Sequence, residues 1–144
     1  MPRVSVIAAA YNVEPYVGRA IQSVLSQTMQ DVELIISDDC SKDGTCAAVD
    51  AWVARDPRVK LVRNTKNGGP GFARNGALRA ATGEWIAVLD ADDWFEPTRL
   101  EKLLEAAEAA GVPLAADNQN FVLEGTREPF RLLRPESGTP VQLM

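Results

Sequence analysis

Four apolar runs of strand length alternate with segments whose apolar residues recur at helical spacing, and this alternation constrains the fold more than anything else in the chain. Residues 4–10 read as a buried first strand. In residues 14–27, Val17, Ile21, Val24 and Leu25 share one helical face, with Pro15 suited to the first turn. A second strand, 32–37, ends at Asp38 and Asp39. Turn chemistry follows, with Asp43 placed to cap a helix over 45–55 whose inner face is Val49, Trp52 and Val53. Residues 58–63 form a third strand. A Gly-rich loop opens a helix over 72–81, with Ala73, Ala77, Leu78 and Ala81 facing inward. The run 85–89 is apolar on both faces, which predicts a strand in the middle of a covered parallel sheet. A helix over 97–110 then turns Leu100, Leu103, Leu104 and Ala107 inward, and Gly111 stops it. Short strands are expected at 112–116 and 121–123, and the remainder is turn-rich, with Pro129, Pro135 and Pro140. Strand-helix repetition of this kind gives an α/β fold with right-handed crossovers.

Chemistry collects where the strands end. Tyr11 and Asn12 follow the first strand, Asp38 and Asp39 close the second, and Asp90, Asp92 and Asp93 follow the fourth. A parallel sheet brings all three groups to one edge, the edge where open α/β sheets bind ligands. Closely spaced carboxylates suit a hard divalent ion such as Mg²⁺ or Mn²⁺ that shares its shell with phosphates; the plainer alternative is an acidic turn in which Asp93 caps the next helix. Tyr11 offers a flat face to a base, or packs the rim as an ordinary aromatic. Asn67-Gly68-Gly69-Pro70-Gly71 matches neither a dinucleotide fingerprint nor a P-loop. It does open a helix, and Arg74 and Asn75 stand in its first turns, either solvated or in reach of a diphosphate.

Composition closes several routes. The chain has 144 residues, one domain by length, and no histidine, which removes His-based acid-base chemistry, His-dependent triads and the common zinc sites. Cys40 and Cys46 are expected to be reduced bystanders. A net charge of -5 argues against broad nucleic-acid binding. Apolar runs are too short to span a bilayer and no signal peptide is evident, so a cytoplasmic protein is expected.

Several motifs resemble the family 2 glycosyltransferases. They are Val4-Ser-Val-Ile-Ala-Ala-Ala-Tyr-Asn12 with Glu14, Ser23-Val-Leu-Ser-Gln-Thr28, Glu33-Leu-Ile-Ile-Ser-Asp-Asp-Cys-Ser-Lys-Asp-Gly-Thr45, Gly71-Phe-Ala-Arg-Asn75, Gly83-Glu-Trp-Ile-Ala-Val-Leu-Asp-Ala-Asp-Asp93, and Pro97 with Leu100. They run in the family's order over about residues 3–117. The resemblance implies a GT-A, Rossmann-like sheet flanked by helices, a nucleotide-diphosphate sugar donor (UDP-linked by preference), and Mn²⁺ or Mg²⁺. It also implies a glycan or lipid-linked acceptor in polysaccharide assembly, at the inner face of a bacterial membrane. Tyr11 would flank the base, Asp39 (or Asp38) would accept its ring N–H, and Arg74 would lie near the base or diphosphate. Asp90 would hold the ribose and Asp92 the metal, with Ala10 and Ala91 completing the donor contacts.

On this basis residues 1–117 form the donor-binding core and 118–144 begin the acceptor-side half or an irregular tail. The general base of an inverting transfer is expected beyond Met144. Asp117, Glu124 and Glu128 are available carboxylates but match no motif, although Asp117 could line the donor-sugar pocket. A donor-binding fragment, poor at transfer and open to homo-oligomerisation through uncovered apolar surface, is therefore expected. Rivals are a sugar-nucleotide pyrophosphorylase-like nucleotidyltransferase, a phosphoacceptor receiver domain, and a non-catalytic binding fragment. The first would carry a Gly-rich loop after the first strand, and the second a lysine after the fifth; neither is present.

Overall fold

The structure, a computed structural model, describes residues 1–117, 121–122 and 129–130. In chain order the main elements are β1 (Val4–Ala10), α1 (Glu14–Leu25), β2 (Val32–Asp38), α2 (Thr45–Val53), β3 (Val59–Arg63), α3 (Pro70–Ala80), β4 (Trp85–Asp90) and α4 (Arg99–Ala110). Four strands form one parallel sheet in the order β3-β2-β1-β4. β5 (Phe121–Val122) and β6 (Pro129–Phe130) pair antiparallel in a separate two-stranded ladder. The residues beyond 130, and with them Pro135 and Pro140, lie outside the described region, as do Glu124 and Glu128.

Alternation in the strands decides which helix covers which face. Val4, Val6 and Ala8 of β1 and Val32, Leu34 and Ile36 of β2 join α1, Val49 of α2, and Leu100 and Leu104 of α4 in the larger core. Ile7 and Ile35 point to the other face and meet Ala77 of α3. Both strands are therefore covered on both sides, which is why β2 is buried along its full length. Small residues let α3 sit close: Ala73 and Ala77 are fully buried, and a Cβ on Gly76 would lie 2.9 Å from Ser37 Oγ.

Among the described residues β4 pairs with β1 on one side and has no described strand on the other. Crossovers through α1 and α2 build β2 and β3 outward on one side of β1, and the crossover through α3 returns to the other side, so that β4 is the last described strand there. Trp85, Ala87 and Leu89 face the larger core. Ile86 and Val88 are 41% and 52% exposed, because α3 covers β1 and β2 but not β4. The expected strand at 112–116 is also absent. Gly111, at φ 63, closes α4 with Schellman-type bonds from Gly111 N–H to the Glu108 carbonyl and from Val112 N–H to the Ala107 carbonyl. Pro113 then lacks an N–H for a ladder, and Leu114 stays exposed beside the β4 edge. Two helix faces are narrower than their periodicity implied, since Val53 and Leu78 are exposed.

At the amino ends of the strands, buried Glu33 accepts hydrogen bonds from Ser5 Oγ (2.5 Å), Lys60 Nζ (2.6 Å), Thr82 N–H (2.7 Å) and Thr82 Oγ1 (2.9 Å). Ser5 Oγ in turn accepts the Gly83 N–H at 2.8 Å. One carboxylate thus staples β1, β2, β3 and the entry to β4. Burial alone would raise its pKa, but the bonds from Lys60, Ser5 and Thr82 outweigh burial and hold it at about 2. Among the described residues no helix is long and apolar enough to cross a membrane.

Candidate active site

Strand order reverses between β1 and β4, and the crevice outside the carboxyl ends of those strands is where an open α/β sheet binds its ligand. The register aligns Ala10 with Asp38 and Ala9 with Asp90, so the three polar strand ends share one rim. Tyr11 stands there 45% exposed, its ring free to meet a planar partner.

The loop after β1 and the loop after β2 are laced together. Asn12 N–H donates to Ser41 Oγ (2.9 Å), and Asn12 Oδ1 accepts the Lys42 N–H (2.8 Å). Val13 N–H donates to Thr45 Oγ1 at 2.9 Å, and Glu14 Oε2 accepts the Gly44 N–H at 2.8 Å. Asn12 and Cys40 both adopt left-handed backbone, at φ 52 and 65, a conformation that costs non-glycine residues energy and persists only where surrounding contacts enforce it. Gly44 rather than Asp43 is the residue that caps α2, but Asp43, one residue ahead of it, accepts the Thr45 N–H through Oδ1 at 3.0 Å. None of the lacing partners Asn12, Ser41 or Glu14 carried an assigned role in the sequence. Their signal was polar residues crowded at two adjacent strand ends.

Asp38 and Asp39 are buried, at 3% and 2% exposure. Asp38 Oδ2 accepts the Ser41 N–H at 3.0 Å, while its Oδ1 is buried without a hydrogen-bond partner among the described residues. The neighbouring Cys46 thiol is pushed up by burial and then by the Asp38 carboxylate, so it stays protonated at neutral pH. Both cysteines are free. Asp39 receives the N–H groups of Gly68 and Gly69.

Arg74 donates through Nη2 to Asp90 Oδ1 across the rim, and its Nε is a buried N–H without an acceptor among the described residues. Asp92 and Asp93 are exposed beyond Asp90, and Ala91 is buried between them and the strand. Asp93 does not cap a helix. Its N–H closes a turn onto the Asp90 carbonyl at 2.9 Å, and Gln27 Oε1 instead accepts the Leu100 N–H of α4 at 3.1 Å. Burial raises the Asp93 pKa, and the charges of Asp92 and Asp90 raise it further against the pull of Arg19. That excess of negative charge favours a cation. Among the described residues no three ligating side chains gather closely enough to hold one alone. Carboxylate oxygens are donors of the kind that hard divalent ions such as Mn²⁺ and Mg²⁺ take. The Asp117 carboxylate is held by Arg99 at 2.7 to 3.1 Å.

Comparison with known proteins gives a consistent result. The model of "Glycosyl transferase family 2" matches residues 5–140. The succinoglycan biosynthesis protein ExoO of Rhizobium meliloti is 48% identical over 122 residues, covering 85% of this chain and 34% of ExoO. The crystal structure of S. aureus TarS 1-349 in complex with UDP-GlcNAc superposes with a TM-score of 0.68 at 31% identity, covering 76% of this chain and 32% of that one. The mannosyltransferase PcManGT from Pyrobaculum calidifontis, in complex with GDP-Man and Mn²⁺, gives a TM-score of 0.67 at 34% identity, covering 74% and 32%. The chain thus spans about a third of the length of these proteins.

Proposed function

The chain belongs to glycosyl transferase family 2, and from that premise we propose that it binds a nucleotide-diphosphate sugar, UDP-linked, as the donor-binding part of an inverting hexosyltransferase of polysaccharide assembly. The acceptor would be a glycan or a lipid-linked glycan, met in the cytoplasm at the inner membrane face. The observation that carries this reading is the meeting of Tyr11, Asp38, Asp39 and Asp90 at one switch point of the sheet.

Tyr11 stacks on the base, and Asp39, with Asp38 as the alternative, accepts its ring N–H. Arg74 turns toward the diphosphate, Asp90 holds the ribose hydroxyls, and Ala10 and Ala91 leave room for the donor to lie against the backbone. Asp92 holds Mn²⁺ or Mg²⁺, which when bound neutralises the departing diphosphate. Support for Arg74 comes from its buried Nε, an N–H still lacking an acceptor among the described residues. TarS was solved with UDP-GlcNAc and PcManGT with GDP-Man and Mn²⁺, so the donor class is common to both while the base differs. We place the acceptor base in the part of these relatives that the chain does not span, and residues 1–117 as the donor-binding core. Membership of the family sets aside the nucleotidyltransferase alternative.

Titration calorimetry with UDP, GDP and dTDP, with and without Mn²⁺, tests the reading. Metal-dependent binding of UDP, lost in Asp92→Ala, is expected. Equal UDP affinity in wild type and Asp92→Ala would overturn the metal assignment, and failure of all three nucleotides to bind would overturn the function.

A further inference from the structure

Asp39 is tied to one segment by both its side chain and its backbone. Its Oδ1 accepts the Gly68 N–H at 3.0 Å and an Asn64 Nδ2–H at 3.3 Å. Its Oδ2 accepts the Gly69 N–H at 2.7 Å and shares the Gly68 N–H at 3.1 Å. The Asp39 carbonyl accepts an Asn67 Nδ2–H at 3.1 Å. Every one of these donors lies in the six residues 64–69 that lead from β3 into α3.

This arrangement has two effects. First, the N–H groups of Gly68 and Gly69 are consumed by a carboxylate, so these two glycines do not offer their backbone donors to a phosphate. The cationic reach of this side of the rim falls to Arg74. Second, Gly69, at φ 83, is the residue from which α3 starts, and Pro70 begins the helix. Arg74 is the fifth residue of α3 and ends on Asp90. The place where α3 begins therefore sets how Arg74 approaches the rim.

We propose that Asp39 is a positioning residue for the diphosphate end of the donor: by clamping Gly68 and Gly69 it fixes the start of α3 and, through it, the seat of Arg74. This rests on the donor-binding reading above and adds a duty at the far end of the nucleotide from the base. One carboxylate then couples recognition of the base to placement of the diphosphate contact.

The test uses the 144-residue chain, with uridine and UDP titrated calorimetrically in Mn²⁺ against wild type, Asp39→Asn, Arg74→Ala and the double variant. Hydrogen exchange of the segment 66–74 is followed in parallel. If the clamp acts through Arg74, Asp39→Asn weakens UDP about tenfold more than uridine, the size expected for losing one charge-assisted contact. In the Arg74→Ala background that extra loss disappears, and amide exchange at Gly68 and Gly69 speeds up in Asp39→Asn. Asn67→Ala, which removes only the bond to the Asp39 carbonyl, shifts both readouts the same way and serves if Asp39→Asn does not fold. Equal losses for uridine and UDP, additive with Arg74→Ala, or unchanged exchange, would overturn the positioning role while leaving donor binding intact. Absence of UDP binding by wild type would overturn both.

Discussion

Removing the charge from Glu33 should destabilise the domain without touching the donor rim. Its carboxylate serves four donors, one of them the hydroxyl of fully buried Ser5. In Glu33→Gln an amide must face Lys60 and Thr82, so charge-assisted bonds become neutral or are lost, at about 2 kcal/mol. Glu33→Ala also strands the buried hydroxyl and the Thr82 N–H, and should cost about 3–5 kcal/mol. A domain holds only about 5–15 kcal/mol in all. Lys60 is half-exposed, and Lys60→Met should cost no more than about 1 kcal/mol. Urea denaturation at pH 7 reads these differences as shifts in midpoint, about 1 M for the Gln variant. The pH dependence follows from the sign of the shift. The folded pKa of about 2 lies below the ordinary 4.5, so the carboxylate's contribution is fully present above about pH 4.5. It is lost as pH falls toward 2, and the gap between wild type and Glu33→Gln should close across that window. A gap that stays constant from pH 7 to pH 3, or is already absent at pH 7, would refute the reasoning.

Asn12→Ala should cost about 1 kcal/mol by chemical denaturation, since it removes the acceptor of the Lys42 N–H and leaves φ 52 to a residue without the polar compensation of Asn. Asn12→Gly, which relieves the backbone but not the lost bond, should cost about half of that. Gly83→Ala should cost about 1–3 kcal/mol, because a Cβ there would lie 2.6 Å from the Ser5 backbone nitrogen, an atom that the β1 ladder holds in place. Thermal unfolding checks it, and an unchanged midpoint would mean that β4 entry is looser than drawn.

The strand-helix order was legible because period-2 and period-3.6 patterns rarely imitate one another over whole elements. The meeting of Tyr11, Asp38, Asp39 and Asp90 on one rim follows from parallel strands alone. Which strand face a helix covers was not legible in the same way. Ile86 and Val88 look as buried as Ile7 and Ile35 when read from composition, and only the crossover path separates them. The absent strand at 112–116 shows the converse: one proline and a left-handed glycine override an apolar run. Polar lacing was the least legible. Gln27 caps a helix far from it in sequence, Glu33 staples three strands, and Asp39 serves amides in a loop; each is a lone polar residue whose partners exist only after folding.

β1 is made first, yet it lies between β2 and β4 in the finished sheet. As the chain leaves the ribosome, β1, β2 and β3 can pair while the other side of β1 still presents open N–H and C=O groups. That side closes only after the ribosome has released residue 90, the same stretch that delivers Asp90 to the rim. Nascent chains stalled before that point would carry β1 as an open, adhesive strand beside an incomplete crevice.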